Sequence, residues 1–500
     1  MDTARGAETI NRRDFLKTMT AGLAALAAGD VLPAAAAAAD AQSRPAGRPN
    51  ILFIISDQHT HDIMSCCGCD WVKTPNLDRL AAMGTRFTAA HVAYPLCVPS
   101  RAAIMTGHPP HQSEADPTKY PESLGRMMRQ AGYETAYFGK WHVGKTKIDS
   151  VKEWHGFETA KEFGQHDAQT SEGALAFLKQ RHDRPFFVVA SYLNPHDCCE
   201  YARAQTMDLY AQRSKRDGTP LPAYLAGIED RVRMRNGAVD VNPPIEICPP
   251  LPKNHQPCSD EAEVAVKARH PRSGLAAFGH PTESWTDNDW REYRWGYARL
   301  VEKMDDEVGR LLDALEQAGQ LDNTVIVYTN DHGDGIGAHK WNQKWSFYEE
   351  PVRAPLIISW KGKTPARTAG PLINTGLDLL PTFCDYAGAQ PPQGLLGLSI
   401  RPFTREKGLP ANPREHKYVV SEMGPENSSA RGRMVRSGRF KYIVYTQGAN
   451  REMLFDMQED PGEMKNLAVD AACKDVLADH RALLAEWRQA TDDAAYPPAT

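Results

Sequence analysis

The stretch Leu96-Cys97-Val98-Pro99-Ser100-Arg101-Ala102-Ala103-Ile104-Met105-Thr106-Gly107 places a cysteine and an arginine four residues apart at the start of a helical pattern. Pro99 suits a first helical turn, Ala102 to Met105 favour helix, and Gly107 suits its end. Cys97 then lies where free N–H groups and the helix dipole favour negative charge, with Arg101 one turn away on the same side. A cysteine so placed is either a buried structural thiol, the usual fate of a free cysteine, or a thiolate nucleophile activated by the helix. Four further segments carry chemistry at the ends of apolar runs. They are Ser56-Asp57-Gln58, Gly139-Lys140-Trp141-His142, Asn194-Pro195-His196 and Asn330-Asp331-His332-Gly333-Asp334. Carboxylates, lysines and imidazoles in that combination describe one site that holds an anion beside a metal.

The runs preceding those residues read as buried parallel strands. Asn50 to Ile55, Glu134 to Phe138, Phe186 to Ala190 and Thr324 to Tyr328 are continuous apolar, β-branched and aromatic segments. Ligands of open α/β sheets bind beyond the carboxyl ends of such strands, which is where the polar residues fall. Helical patterns lie between them at Pro75 to Met83, Ser123 to Gln130 and, longest, Trp290 to Ala318, whose aromatics read as core. The expected fold is α/β: a large, mostly parallel sheet flanked by helices, with a smaller C-terminal α+β domain. That second domain follows from the short strand-like runs after Tyr418 and a final helix from about Ala471 to Gln489, an antiparallel sheet with a helix.

The chain has 500 residues and a net charge of −5, which argues against a general nucleic-acid binder. With 41% hydrophobic and 24% charged residues it is ordinary globular material, and ten cysteines are too sparse for a disulfide scaffold. Residues 1–40 read as an export leader: Asn11-Arg12-Arg13-Asp14-Phe15-Leu16-Lys17, then a small-residue apolar stretch too short to span a bilayer, then an A-x-A-like region. Its R-R-x-F-L-K core resembles a twin-arginine signal, so export by that machinery to the periplasm or beyond is expected, with no membrane span in the mature protein. The expected organisation is a catalytic domain over 48–405, a Pro-rich substrate-side insertion over 200–290 within it, and a smaller domain over 413–500.

Cys97 to Gly107 matches C-x-P-S-R followed by a short helix ending in T-G, and here the chain resembles the type I sulfatases of the alkaline phosphatase superfamily. The likeness runs from Pro49-Asn50-Ile51 to Asp460-Pro461. It implies that Cys97 is oxidised to formylglycine by a formylglycine-generating enzyme before export, and that the aldehyde hydrate supplies the nucleophilic oxygen. It also implies metal ligation by Asp57, Gln58, Asp331 and His332 together with residue 97, and a hydrate held by Arg101. Lys140, Lys344 and His196 would contact the sulfate, with His196 as the leaving-group acid and His142 as the base that lets the hydrate collapse. His339 is expected either to touch substrate or to orient the loop carrying Lys344. Many relatives carry two acids where this chain has Asp57-Gln58 and an Asn where it has His332. Calcium is the expected cofactor, with manganese or zinc as alternatives. The expected activity is hydrolysis of a sulfate ester or sulfamate, on a small-molecule or oligosaccharide substrate and first on a sulfated carbohydrate. Phosphonate monoester or phosphodiester hydrolysis is the enzymatic alternative, and a non-catalytic sulfated-glycan binder the alternative of another class.

Other clusters carry weaker readings. His59-Thr60-His61-Asp62 with Cys66, Cys67 and Cys69 lacks paired zinc spacing and reads as surface or pocket rim. Cys198 and Cys199 are expected to line the pocket, and Cys248 and Cys258 could pair after export. Asp334 reads as support for the metal ligands, and Trp71, Trp285 and Trp290 as core before sugar platforms.

Overall fold

Every residue of β1 (Asn50–Asp57) is buried, because its apolar run serves two cores at once. Ile51, Phe53 and Ile55 enter one hydrophobic cluster, while Leu52 and Ile54 enter the other. The computed structural model describes residues 47–163, 166–207, 211–212, 214–215, 218, 243–269, 282–405, 414–424 and 431–494. The expected leader lies outside them, as do residues 219–242 and 270–281 of the Pro-rich insertion and the expected domain boundary at 406–413.

The remaining strands are β2 (Gly84–Phe87), β3 (Ala90–His91), β4 (Glu134–Gly139), β5 (Thr159–Lys161), β6 (Phe186–Pro195), β7 (Thr324–Asn330), β8 (Leu356–Ser359), β9 (Arg367–Ala369), β10 (Ile373–Asn374), β11 (Tyr418–Met423), β12 (Gly432–Ser437), β13 (Phe440–Tyr445) and β14 (Glu452–Asp456). An eight-stranded sheet runs in the order β5-β4-β6-β1-β7-β8-β2-β9, parallel except where β8 opposes β7 and β2. β1 is flanked by β6 and β7, with Ser56 opposite Asn330. Three chemistry-bearing strand ends are therefore neighbours, and β4 adds the fourth beside β6.

Helices α1 (Pro75–Ala82), α2 (Cys97–Thr106), α3 (Leu124–Gln130), α4 (Asp167–Leu178), α5 (Asp287–Gln317), α6 (Thr375–Ala387) and α7 (Lys474–Thr491) cover the sheets. α2, α3 and α6 pack on the face of Phe53, where Phe383 meets Phe53 and Phe187 at centroid distances of 4.8 and 5.3 Å. α1, α4 and α5 pack on the other face through Leu77, Phe177, Met304 and Leu311. The helix ends obey local chemistry. Thr286 and Asp289 form a reciprocal capping box at the start of α5, and Gly107 ends α2 in the left-handed region at φ 71°.

β11 to β14 form the expected antiparallel sheet. One face takes Leu477, Leu484 and Trp487 of α7; the other sends Met434, Ile443 and Phe455 into the main core. That second contact joins the sheet to a single compact unit beginning at Arg48. His111 adds a polar tie. Its ring faces two acceptors, Glu422 Oε1 at 2.7 Å through Nδ1 and the Thr491 carbonyl at 3.1 Å through Nε2. Two acceptors require both ring nitrogens to donate, so the folded state holds imidazolium. Burial opposes this charge, but Glu422 prevails and raises the His111 pKa.

A group whose folded pKa is raised stabilises fully below its unfolded value, about 6.5, and loses that contribution as pH climbs through the folded value. The melting temperature is expected to fall with rising pH above about 6.5, and His111→Gln is expected to remove that part of the slope. Parallel melting curves for the two proteins across this range would refute the charged tie.

Candidate active site

Asp57 and Asp331 end adjacent strands, so the parallel register drives two fully buried carboxylates together. Arg101 holds them. Its Nε donates to Asp331 Oδ2 at 2.7 Å and its Nη2 to Asp57 Oδ2 at 3.3 Å. Its Nη1 donates to the Lys140 carbonyl at 3.1 Å and to Ser191 Oγ at 2.8 Å. These bonds commit four of the five guanidinium N–H groups, so Arg101 acts mainly by orienting the carboxylates. Lys140 Nζ lies 2.6 Å from Asp57 Oδ2, and its backbone N–H is anchored on the Ser191 carbonyl at 2.9 Å. Burial alone would raise the Asp57 pKa, but Lys140, His196 and Arg101 hold it well below the usual carboxylate range. Asp331, buried beside the Asp57 charge, is pushed up to about 6.

Cys97 opens α2 and is 6% exposed. Against the effect of its burial, Lys140 and Lys344 lower its thiol pKa, helped by His332. His332 Nδ1 is satisfied by the Gly333 carbonyl at 2.9 Å, which turns Nε2 inward. That Nε2 and Asp57 Oδ1 are both buried without a hydrogen-bond partner, 3.8 Å apart. Asp57, Cys97 and His332 each offer a ligand atom, all within 4.8 Å of one another. Orphaned donor atoms converging between two carboxylates fit a divalent cation.

Gln58 adopts a left-handed conformation at φ 69°, which turns its amide away from the strand direction. Its Nε2 donates to Asp334 Oδ2 at 2.6 Å, and its Oε1 accepts from Lys344 Nζ at 3.0 Å. Asp334, in turn, accepts from the Tyr293 hydroxyl, and Tyr297 donates to the Gln58 carbonyl at 2.6 Å. These two tyrosines of α5 are core residues by burial, yet their hydroxyls brace the site, a role their helical spacing alone does not signal. Ser191 and Gln343 also escape sequence reasoning. Ser191 follows an apolar run with nothing to mark it, and Gln343 touches both Gln58 Nε2 and the Cys199 thiol.

Two imidazoles remain. Burial, Lys140 and Lys344 hold half-buried His196 well below its usual range, with Cys199 and Asp57 opposing. His142 reaches solvent, yet crowding, Lys140 and Arg101 hold it down to about 4. Both are neutral at neutral pH while the anion is absent.

The structure thus brings Asp57, Gln58, Cys97, Arg101, Lys140, Asp331, His332 and Lys344 into direct or shared contacts, with Cys198 and Cys199 alongside. His339 corrects the expectation of substrate contact. Its ring is fully buried, stacks on Tyr348 at 3.7 Å and meets Asn254, so it lies behind the loop that carries Lys344. His59 and His61 correct the surface reading: both are buried, and His59 bonds the Ile63 carbonyl and the Tyr328 hydroxyl. Cys248 and Cys258 are free thiols. Trp71, Trp285 and Trp290 pack in one cluster with α5.

The sulfatase family model matches residues 49–389, more than half of the chain. This chain is a sulfatase. A model for the N-sulphoglucosamine sulphohydrolase C-terminal region matches residues 337–490, which include the antiparallel sheet. The sulfatase is 32% identical to a Delta 4,5-hexuronate-2-O-sulfatase of Bacteroides thetaiotaomicron over 90% of each chain. It is 29% identical to an N-acetylglucosamine-6-O-sulfatase of the same organism, over 86% of this chain and 85% of that one. A solved 2-O GAG sulfatase superposes with a TM-score of 0.72 at 30% identity, covering 89% of this chain and 93% of its own. The chain belongs to the type I sulfatases of the alkaline phosphatase superfamily and hydrolyses sulfuric esters.

Removing Arg101 leaves buried Asp331 without its ion-pair partner and Asp57 with Lys140 alone. Arg101→Ala is expected to destabilise the protein by about 3–5 kcal/mol in urea unfolding. A loss under about 1 kcal/mol would mean that the pair does not depend on the guanidinium.

Proposed function

We propose that this sulfatase is exported by the twin-arginine route and removes sulfate from a sulfated carbohydrate of the glycosaminoglycan kind, through formylglycine made from Cys97. The observation that carries the reaction is the convergence of Lys140, Lys344 and the orphaned Asp57 and His332 atoms on Cys97. The relatives named above, which act on a hexuronate and on N-acetylglucosamine, support the substrate class.

A divalent cation held by Asp57, Asp331 and His332, with Gln58 beside them, would draw charge from the sulfate oxygens. Formylglycine at position 97 would supply a hydrate oxygen as nucleophile. Lys140 and Lys344 grip the sulfate from either side of residue 97, exchanging the Asp57 and Gln58 contacts for sulfate oxygens. Arg101 keeps the two carboxylates aimed while this happens. Burial first, and then the two lysines, keep His196 deprotonated at rest; a bound sulfate offsets the lysines' share and so favours a proton on His196 for the leaving oxygen. His142, held near 4, is already a free base and takes the proton that lets residue 97 release sulfate.

Mass spectrometry of the peptide holding Cys97, from protein made with its maturation enzyme, is expected to show the aldehyde; an unmodified thiol alone would overturn the formylglycine reading. Cys97→Ala is expected to lower turnover by roughly a thousandfold or more with an unchanged melting temperature. Among an aryl sulfate, sulfated disaccharides and a phosphonate monoester, the disaccharides are expected to give the highest kcat/KM; preference for the phosphonate would reverse the assignment. Replacing both Arg12 and Arg13 with lysine is expected to leave the enzyme in the cytoplasm, and unchanged export would refute the twin-arginine route.

A further inference from the structure

Behind the loop that bears Lys344 lies a second convergence of ligand atoms that the sulfatase chemistry does not use. His339, Glu350 and Glu463 each offer one ligand atom, all within 4.8 Å of one another. His339 and Glu463 are fully buried. His339 Nδ1 and Glu350 Oε2 have no hydrogen-bond partner. Three separate parts of the chain meet here. His339 sits on the left-handed turn at φ 52°, Glu350 on the short helix Glu349–Val352, and Glu463 in the loop after β14 at φ 56°.

The charges around this cluster are shared unevenly, with Arg436 acting on Glu349 and Glu463. Buried Lys441 on β13 is shared by Glu349 at 3.1 Å and Glu463 at 2.7 Å. Arg353 reaches Glu349 at 3.8 Å, and Glu261 is matched by Arg269. Asn254 Nδ2 donates to Glu350 Oε1 at 2.9 Å. A cavity of about 310 Å³, lined by Glu350 and Asn254 together with Asp62 and Arg294, opens beside the group.

We propose that His339, Glu350 and Glu463 bind a second divalent cation of the zinc–manganese class, separate from the Asp57 group. One imidazole nitrogen with two carboxylate oxygens suits these ions better than calcium, which prefers an all-oxygen shell. Ligands about 2.0–2.2 Å from a shared ion lie at most about 4.4 Å apart, so side-chain adjustments of a few tenths of an ångström close the site. The bound ion clamps the turn before Lys344 to the C-terminal sheet. It does so where His339 already leans on Tyr348 and its backbone N–H donates to the Asn254 carbonyl at 2.6 Å.

The test uses the full chain, stripped with chelator and titrated with ZnCl2 or MnCl2 under native mass spectrometry, which counts ions on folded charge states alone. Wild type is expected to bind one equivalent more than Glu350→Gln, a change that keeps the Asn254 bond, and one more than His339→Gln. Equal counts in all three proteins would overturn the site. Crystals of the unmutated protein soaked in ZnCl2 probe the site without relying on any variant. An anomalous peak among the three side chains supports the proposal; zinc found only at the Asp57 group or at cysteine sulfur rejects it.

Discussion

Two carboxylates that should repel each other are the constraint around which this molecule is arranged. Parallel pairing of β1 with β7, one residue short of the strand ends, places Asp57 and Asp331 side by side in a fully buried environment. Coulomb energy between unit charges at such separations amounts to several kcal/mol even at a generous effective dielectric. The fold answers with cations from three directions. Arg101 arrives one turn into α2, Lys140 from the end of β4, and Lys344 from the loop after β7. Because Cys97 begins the helix whose next turn carries Arg101, the need to neutralise the carboxylates also fixes where Cys97 stands.

This explains how a chain of net charge −5 can hold an anion site. The positive charge is concentrated and largely spoken for at rest: Lys140 on Asp57, Lys344 on the amide of Gln58. Gln58 in place of a second acid matters here. An amide oxygen accepts from Lys344 without neutralising its charge, so the ammonium stays a net cation beside the carboxylates. His332 in place of an amide puts a ring nitrogen, Nε2, 3.8 Å from both Asp57 Oδ1 and Asp331 Oδ1.

What is legible in the sequence follows from how local each signal is. Strands buried on both faces must be apolar throughout, so β1, β4, β6 and β7 stand out, and the polar residues ending them mark the site. In the C-terminal sheet β11, β12 and β13 are readable as short apolar runs and α7 by its helical pattern, whereas β14 is not. α2 is legible at both ends because Pro99 and Gly107 have positional meanings. The partners that depend on tertiary approach are not. Ser191 is one serine within a ten-residue buried strand, and only the arrival of Arg101 gives it a role. Tyr293 and Tyr297 satisfy the helical core pattern in full while their hydroxyl tips reach Asp334 and Gln58. His339 lies five residues before Lys344, which suggests a shared task. Positive φ at Ile336, His339, Lys340, Gln343 and Trp345 instead folds the loop back on itself, turning the histidine ring toward Tyr348 while Lys344 meets Gln58.

That loop also links the site's precision to the C-terminal sheet. Non-glycine residues in the left-handed region are held there only when surrounding contacts over-determine them. Here the Gly335 N–H donates to the Gln343 carbonyl, the Gly337 N–H to the Trp341 carbonyl, and Trp345 to the Pro95 carbonyl beside α2. On the other side the segment after it presents Glu349 and Glu350 to Lys441 and Asn254, and the Glu349 N–H donates to Glu463 at 2.7 Å. Lys344 is therefore positioned by a bridge with one foot on the cysteine-bearing segment and the other on the antiparallel sheet. A C-terminal sheet far from the strand ends in sequence, yet continuous with them through buried charge, is what the placement of a single buried ammonium requires.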